Sequence, residues 1–255
     1  MDSNGKFALV TGASKGVGRG VAIGLAEAGW SVGINYFHDK QGAEETVSHI
    51  NDAGGKAWIL QADVGDGEEV AGMFSTFMEH AGRLDLLVNN AGVQTWAPLL
   101  ELEEADWDRT IRTNLKGTFL CTQQAGRLMK DAEGGVIINI GSGANKAPFP
   151  SLIDYCASKG GIETFTVAAA VELGPYGIRV NCVAPGCIEI ERTKKESPDY
   201  EKTWSPITPL RRIGHAKDVA KAVNFLASDD ADFIAGQTLY VDGAMWSQAP
   251  WPYDK

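Results

Sequence analysis

Short apolar runs recur along this chain, and segments with helical periodicity separate one run from the next. The runs cover residues 7–10, 31–36, 57–60, 84–88, 136–140, 178–183 and 238–241, and the helical segments cover residues 17–28, 43–52, 70–79, 107–129, 153–173 and 216–227. Because the runs are unbroken, they are typical of strands that are buried on both faces. The repeated strand–helix–strand order favours right-handed crossovers. The sequence therefore predicts an α/β fold with a doubly wound parallel sheet, the Rossmann fold, and ligands at the carboxyl ends of its strands.

The size and composition of the chain set the number of domains. Its 255 residues are 44% hydrophobic, and it has 30 glycines but only 10 prolines. A chain of this length buries a large core and can still form one domain. No segment has the composition of a flexible linker, so we expect a single domain over residues 1–255.

Charge and cysteine usage indicate which partners to exclude. The 23 basic and 33 acidic residues give a net charge of −10, and no run of Lys or Arg follows the pattern of a nucleic-acid-binding surface. The sequence shows neither a secretory leader nor an apolar run of membrane-spanning length. Its four cysteines have no CxxC spacing, which argues against a zinc site and a disulfide scaffold. We expect a cytoplasmic protein without a metal, nucleic-acid or membrane partner.

A glycine-rich turn, FALVTGASKGVG, follows the first predicted strand at residues 7–18. Gly12 permits the tight turn, and Gly16 and Gly18 leave room for a pyrophosphate beside the free N–H groups of a helix start. The alternative is a glycine turn that binds no ligand, but its place directly after the first strand favours a dinucleotide site. The remaining residues predicted to contact the cofactor in this turn are Ser14, Lys15 and Val17.

The second strand bears on the choice of cofactor. Sites that prefer NAD often place an acidic residue at the end of this strand, where it binds the ribose 2′-hydroxyl. Here the strand ends at Tyr36, and Lys15 in the turn would attract a 2′-phosphate. The sequence therefore favours NADP(H), with NAD(H) as the alternative. His38 is a further candidate for the phosphate contact, although an exposed loop histidine is more often only solvated.

Tyr155 and Lys159 stand four residues apart in a predicted helix, with Ser142 upstream in NIGSGANK. A four-residue step returns to nearly the same helix face, so the ammonium can lie beside the phenol and favour its ionised form. An unassisted tyrosine has a pKa of about 10, which is too high for ready proton exchange at neutral pH. The pair therefore predicts a proton donor and acceptor. The alternative is two ordinary residues of an amphipathic helix.

Taken together, these motifs resemble the short-chain dehydrogenase/reductase family over nearly the whole chain. The matching motifs are the cofactor turn TGASKGVG from Thr11, NNAG at residues 89–92, the catalytic set Asn114, Ser142, Tyr155 and Lys159, and the turn Pro185-Gly186. The resemblance implies that Asp63 and Val64 flank the adenine and that the backbone of Ile188 holds the nicotinamide carboxamide. It also implies that the ribose side is lined by Asn90, Ala91 and Gly92. One departure is Ile190, where similar proteins usually have a threonine. The contact of that hydroxyl with the cofactor is then either lost or supplied by Thr193.

The resemblance also implies a reaction and a role for each catalytic residue. A hydride passes between the nicotinamide and a carbinol carbon, while Tyr155 acts as acid in reduction and base in oxidation. Ser142 would hydrogen-bond the substrate oxygen, and Lys159 would assist the tyrosine and bind the nicotinamide ribose. Asn114 would hold a water that links the lysine to solvent.

Substrate contacts are expected from the loops that follow the strands. Gln94 and Asn145, with Ser142 and Tyr155, would bond hydroxyl groups, and Trp96 offers a flat face suited to a sugar ring. Glu189 is a further candidate. The segment at about 187–210, rich in charge and proline, is expected to order over substrate as a lid. The alternative for each loop residue is simple solvation.

Three functions remain open at this point. The segment 187–210 is similar to sugar 1-dehydrogenases of the family, which predicts oxidation of an aldose. The main alternative is 3-oxoacyl-carrier-protein reductase or another ketone reductase, although the mixed to acidic stretch at residues 130–133 and the net charge disfavour an acidic carrier protein. A remote alternative is a non-catalytic NADP(H)-binding sensor.

The helix that carries Tyr155 continues through FTVAAAVEL, which is apolar on more than one face. Such a stripe predicts a partner subunit, and the resemblance implies a homotetramer with the strand at residues 238–241 near a second interface. The apolar, proline-rich tail at residues 246–255 is expected to pack on a neighbouring subunit near the active-site mouth.

Overall fold

The computed structural model describes residues 5–132 and 134–247 and contains one seven-stranded parallel sheet. The strands of that sheet are β1 (Lys6–Val10), β2 (Trp30–Tyr36), β3 (Lys56–Gln61), β4 (Leu86–Asn89), β5 (Gly135–Ile140), β6 (Ile178–Pro185) and β9 (Thr238–Val241). Their spatial order is β3-β2-β1-β4-β5-β6-β9, and all the pairs are parallel. The strands β7 (Ile188–Glu189) and β8 (Gly214–His215) form a separate two-stranded sheet. The predicted doubly wound parallel sheet is confirmed.

Helices cover both faces of the sheet. They are α1 (Gly16–Glu27), α2 (Lys40–Asp52), α3 (Gly67–Ala81), α4 (Glu104–Ile111), α5 (Gly117–Asp131), α6 (Ile153–Leu173), α7 (Glu191–Glu196), α8 (Tyr200–Trp204) and α9 (Ala216–Ala227). Buried residues of α1, α2 and α9 form one hydrophobic cluster with the sheet, and those of α3, α5 and α6 form the other. None of the helices in the described ranges is both long and apolar enough to cross a membrane.

The first strand shows why the apolar runs are unbroken. Ala8, Leu9 and Val10 are all completely buried, with Ala8 and Val10 in one cluster and Leu9 in the other. Because successive side chains of a strand point to opposite faces, a strand with a helical layer on each face needs apolar residues at every position. This burial is the physical basis of the pattern from which the sheet is predicted.

The single helix predicted at residues 107–129 differs in detail from the observed one. The structure has α4, then a π-helical turn at Arg112–Lys116, then α5, without an interruption between them. Such turns are rare and are frequent at functional sites. This one contains Asn114, a residue of the predicted catalytic set.

The strand order creates the crevice in which ligands of this fold bind. Chain crossovers run in opposite directions from the neighbouring strands β1 and β4, so the loops after these strands separate at the carboxyl edge of the sheet. The glycine turn follows β1, the NNAG segment overlaps the end of β4, and Ser142 follows β5. The fold thus brings the predicted motifs to one edge.

Candidate active site

A cleft of about 1270 Å³ lies along this carboxyl edge. Every residue predicted to bind the cofactor lines it: Gly12, Ser14, Lys15, Gly16, Val17, Gly18, Tyr36, Asp63, Val64, Asn90, Ala91, Gly92, Tyr155, Lys159, Pro185, Gly186 and Ile188. Ser142, Gln94 and Trp96 line it as well, whereas Asn114 and Asn145 do not. No cluster of metal-ligating side chains occurs among residues 5–132 and 134–247.

The glycine turn has the shape of a dinucleotide cradle. Gly12 has a φ of +61°, and a Cβ on it would come within 2.8 Å of the Ala91 Cα. A Cβ on Gly18 would come within 2.5 Å of the Gly12 carbonyl oxygen. The backbone here is therefore open only because these residues lack side chains, and it leads directly into the amino end of α1. These residues fit the pyrophosphate of a dinucleotide.

Two side chains that the sequence reasoning did not single out hold this turn in place. Asn35, which is 1% exposed, accepts a hydrogen bond from Gly12 N at 3.1 Å through its Oδ1. The Thr11 Oγ1 accepts bonds from Asn90 N at 2.9 Å and Ala91 N at 3.0 Å. The turn after β1 and the NNAG segment after β4 are thereby joined across the crevice. Asn35 could have been predicted as a structural residue from the sequence, because it is a polar residue inside an otherwise apolar strand.

The adenosine end of the cleft contains charges of both signs. Lys15 Nζ lies 3.4 Å from Asp39 Oδ2, and both residues line the cleft together with Tyr36 and His38. Asp39 caps α2 by accepting a bond from Gly42 N at 3.1 Å. The prediction of NADP(H) from sequence considered Lys15 but not Asp39. The Asp39 carboxylate reduces the positive charge that Lys15 offers to a 2′-phosphate.

The residues expected beside the adenine carry a second ion pair. Asp63 is 7% exposed, and its Oδ2 lies 2.7 Å from the Nη1 of Arg112. Its Oδ1 accepts a bond from Gly65 N at 2.9 Å. Arg112, which the sequence reasoning missed, comes from the π-helical turn and lines the cleft. The Asp63 carboxylate is thus fixed before any ligand binds.

Tyr155 and Lys159 lie together on α6 in the cleft wall. The Lys159 Nζ is 5.5 Å from the centroid of the Tyr155 ring and donates a hydrogen bond to Ile140 O at 2.6 Å. The lysine is only 4% exposed. Since an ammonium has three donors, two remain for the phenol side and for a ligand. Ser142 stands at the end of β5, where its Oγ accepts a bond from Ala144 N at 3.1 Å.

Asn114 is fully buried behind this pair. Its Nδ2 donates to Val93 O and to Ser158 Oγ, both at 2.9 Å, and its Oδ1 accepts from Val93 N at 2.7 Å. Ser158 in turn donates to Tyr155 O at 2.8 Å. The Asn114 side chain therefore joins the loop after NNAG to the first turns of α6, which carry the tyrosine.

Asp154, the residue before Tyr155, was also missed by the sequence reasoning. It is fully buried, and its Oδ1 accepts a bond from Tyr155 N at 2.6 Å. Its Oδ2 accepts bonds from Thr110 Oγ1 at 2.6 Å and Thr95 N at 3.1 Å. A buried carboxyl with three donors fixes the start of α6 against α4 and the loop after NNAG.

Four aromatic rings line the same cleft as Tyr155, and we call Phe149, Tyr200, Trp204 and Trp246 the aromatic wall. The Phe149 ring packs edge-on against Trp204, with centroids 5.8 Å apart, and against Trp246, with centroids 5.5 Å apart. The Trp246 indole lies against Gly143, so closely that a Cβ there would overlap it. Trp96, which is 57% exposed, also lines the cleft.

The structure places Asn145, Thr193 and part of the tail as follows. Asn145 is turned away from the cleft, because its side-chain amide bonds Glu163. Thr193 lines the cleft, but its Oγ1 accepts a bond from Ile190 N at 2.9 Å. Of the predicted tail, residues 248–255 lie outside the described residues, while Trp246 lines the cleft of its own chain.

Tyr200 of the aromatic wall and its neighbour Cys187 are held in their neutral forms. Burial raises the pKa of the Cys187 thiol to about 11, against a partial lowering by the Tyr200 hydroxyl. Burial likewise raises the pKa of Tyr200 above its usual range. Both side chains line the cleft.

The parallel sheet, the glycine cradle and the serine, tyrosine and lysine in one cleft define a nicotinamide-dependent oxidoreductase. A family model described as "Enoyl-(Acyl carrier protein) reductase", of the short-chain dehydrogenase type, matches residues 12–245. The chain belongs to the short-chain dehydrogenase/reductase family, whose members use NAD(P) as cofactor.

Individual relatives differ in their substrates. The chain is 42% identical over 241 residues to a 3-oxoacyl-[acyl-carrier-protein] reductase of Staphylococcus aureus, covering 94% of this chain and 98% of that protein. It is 39% identical over 251 residues to glucose 1-dehydrogenase 2 of Bacillus subtilis, covering 96% of each. A crystal structure from Agrobacterium tumefaciens, named as a candidate gluconate dehydrogenase, has a TM-score of 0.91 at 35% identity and covers 96% of this chain and 97% of that one.

Proposed function

We propose that this oxidoreductase is an aldose 1-dehydrogenase that prefers NADP(H) and oxidises the hemiacetal carbon of a cyclic sugar. The observation that carries the proposal is the aromatic wall, which lies in the same cleft as Ser142 and Tyr155. Aromatic rings offer flat apolar surface for the C–H face of a sugar ring, while polar groups elsewhere in the pocket orient it. Gln94, which also lines the cleft, can bond the ring hydroxyls.

The protein's own residues handle one proton and the position of the substrate. In the oxidising direction the Tyr155 phenolate oxygen accepts the hydroxyl proton of the substrate and becomes a neutral phenol, and in reduction the phenol donates that proton to the substrate oxygen. The Ser142 hydroxyl donates a hydrogen bond to the same substrate oxygen. Lys159 holds its ammonium beside the phenol through its bond to Ile140 O. When bound, the nicotinamide supplies the hydride acceptor or donor.

The catalytic positions of Ser142, Tyr155 and Lys159 in this proposal rest on their shared place in the cleft. For Asn114 we propose a positioning role through Val93 and Ser158, because both ends of its amide are occupied by protein partners. A water relay through this residue would then use its backbone carbonyl, which accepts a bond from Thr118 Oγ1 at 2.7 Å and has a second lone pair.

The preference for NADP(H) is supported by Lys15 and by the lack of an acidic residue at position 36. Asp39 limits that preference because it pairs with Lys15. NAD(H) therefore remains a usable second cofactor in this proposal. The relative affinities of NADPH and NADH for the purified protein measure the preference directly.

The second candidate function is reduction of a 3-oxoacyl thioester, which the 42% identity to the Staphylococcus aureus reductase favours. An acidic carrier protein needs a basic surface at the mouth of the cleft, and here cationic side chains of the cleft lining pair with carboxylates, Lys15 with Asp39 and Arg192 with Glu196. In the same 187–210 segment Lys194 pairs with Glu189. This pairing is why we place the aldose first.

One assay separates these functions. The purified enzyme is given NADP⁺ with a panel of aldoses and polyols, and NADPH with acetoacetyl thioesters, and absorbance of the reduced nicotinamide is followed. Oxidation of an aldose with at least tenfold higher kcat/KM than any thioester supports the proposal. The reverse ratio replaces it with the second candidate. Cofactor binding without turnover across the panel supports the non-catalytic alternative.

We further propose the single domain over residues 1–255, a substrate lid at about 187–210, a cytoplasmic location and a homotetramer. The apolar side of α6 supports the tetramer, since Val171 is 73% exposed and Val167 is 49% exposed. Light scattering after size-exclusion chromatography measures the mass. A Val171→Glu variant that shifts to smaller species would place the interface on α6.

A further inference from the structure

One carboxylate from the 187–210 segment reaches the phosphate end of the cleft. The Oε2 of Glu191, the first residue of α7, accepts a hydrogen bond from Gly16 N at 3.0 Å, although the residues are 175 positions apart. Its Oε1 lies 3.5 Å from Arg19 Nη1. Glu191 therefore connects the exposed segment to the first turn of α1.

Gly16 is the first residue of α1, so its N–H is one of the donors that have no partner within the helix. The helix dipole favours a negative charge at this point, and in dinucleotide-binding turns of this kind the pyrophosphate takes it. The first turn of α1 has no acidic residue of its own. The anion at this position comes instead from a distant part of the chain.

We propose that the Glu191 carboxylate occupies the position of a cofactor phosphate oxygen, and that NADP(H) or NAD(H) must displace it from Gly16 to bind. Two anions cannot share one N–H donor at hydrogen-bond distance without strong repulsion. The Glu191 side chain is 58% exposed, so it can leave into solvent without breaking a buried contact. Its charge nevertheless stays close to the pyrophosphate and lowers the affinity for the cofactor.

Arg19 keeps its position when the Glu191 carboxylate is displaced by the cofactor. Its Nε and Nη2 donate to Ser14 O at 3.1 and 2.6 Å, and its Nη2 also donates to Gly42 O at 3.1 Å. These bonds keep the guanidinium in place when Glu191 leaves. Displacement therefore releases the Glu191 side chain from the first turn of α1 while the cradle keeps its shape, and cofactor binding is coupled to the 187–210 segment through this side chain.

The test is a Glu191→Gln variant, which keeps the size and the acceptor oxygen but removes the charge. Fluorescence titration of the purified protein with NADPH and, separately, with NADH gives the two dissociation constants. Both are expected to fall by the same factor, on the order of threefold to tenfold. The factors are equal because the two cofactors share the pyrophosphate and differ only at the 2′ position.

A Glu45→Gln variant is the matched control. Glu45 also pairs with Arg19, at 3.2 Å from Nη2, but it contacts neither Gly16 nor the cleft. We expect its dissociation constants to stay within about twofold of the wild type. Equal tightening in both variants would indicate a general charge effect and overturn the proposal, as would an unchanged or weaker affinity in Glu191→Gln.

A change confined to NADPH would also overturn the proposal, because it would place the carboxylate at the 2′-phosphate. The titration needs no substrate and no turnover. Its result is therefore independent of whether the enzyme oxidises an aldose or reduces a thioester.

Discussion

The two sides of the cleft differ in how their polar groups are held. On the buried side, Asn114 and Asp154 are fully buried and Lys159 is 4% exposed, and each bonds other parts of the protein. On the exposed side, the 187–210 segment carries ion pairs such as Lys194 with Glu189 at 3.0 Å, where the lysine is 64% exposed. A buried polar group that loses its partner costs about 1–3 kcal/mol, whereas an exposed ion pair contributes ~0–1 kcal/mol. The buried side therefore keeps one geometry for the chemistry, and the exposed side is free to vary with the ligand.

The largest effect is expected from removing the Tyr155 hydroxyl, which we propose moves the substrate proton. Tyr155→Phe should lower kcat by about 10²- to 10⁴-fold, because general acid–base catalysis is lost, while the dissociation constant of NADPH stays nearly the same. Steady-state kinetics and fluorescence titration measure the two quantities. Tyr240→Phe, at a tyrosine outside the cleft that bonds Glu163, should keep the wild-type rate. Wild-type turnover in Tyr155→Phe would show that the buried side does not perform the chemistry.

Substitutions on the two sides should also differ in how much they lower the free energy of unfolding. Asp154→Ala leaves three donors without an acceptor in a fully buried place, so we expect the free energy of unfolding to fall by roughly 3 kcal/mol. For a protein of this size that corresponds to a melting temperature lower by about 6–12 °C in a calorimetric scan. Asp106→Ala removes an exposed pair with Arg109 and should cost under about 0.5 kcal/mol. Similar losses in both variants would contradict the comparison.

On the exposed side, a substitution should change substrate binding more than the chemical step. Trp204→Ala removes the ring that packs against Phe149 and Tyr200, and we expect KM for the best aldose to rise about threefold to tenfold with kcat nearly unchanged. Trp107→Ala, at a half-exposed tryptophan of α4 outside the cleft, is the control. A fall in kcat with constant KM would mean that Trp204 supports the catalytic residues instead.

The smallest expected effect concerns the exposed pair at the adenosine end. Asp39→Asn removes the carboxylate that pairs with Lys15 but keeps an acceptor for Gly42 N, so α2 retains its cap. The dissociation constant of NADPH should fall by about threefold relative to that of NADH. Asp66→Asn, at a second capping aspartate that does not line the cleft, should leave the ratio unchanged. An unchanged ratio of the two dissociation constants in Asp39→Asn would show that Lys15 does not bind the 2′-phosphate.

The parts of this protein that could be predicted from sequence are those in which neighbours along the chain determine the structure. The unbroken apolar run Ala8, Leu9 and Val10 predicts a strand that is buried on both faces. The four-residue spacing of Tyr155 and Lys159 predicts that they share one face of a helix. The bounds of the α6 helix were predicted to the residue. These features depend on local periodicity and on the residues of the turns, so they can be predicted without knowledge of contacts between distant segments.

The residues that escaped prediction act through contacts between distant segments. Asp154 reaches Thr95 and Thr110, and Glu191 reaches Gly16. Asn145 points to Glu163 and not into the cleft, which a loop sequence does not reveal. A side chain on a loop can point in several directions with similar local energy, and only packing selects one of them.

The sequence by itself determined the doubly wound sheet, the glycine cradle and the pairing of a phenol with an ammonium. The tertiary structure alone decided that Phe149, Trp204 and Trp246 meet in one wall, that Asp39 faces Lys15, and that Glu191 lies on the first turn of α1. The physical reason is range: hydrophobic period and helix spacing act within a few residues, whereas these contacts join segments that only the folded sheet brings together.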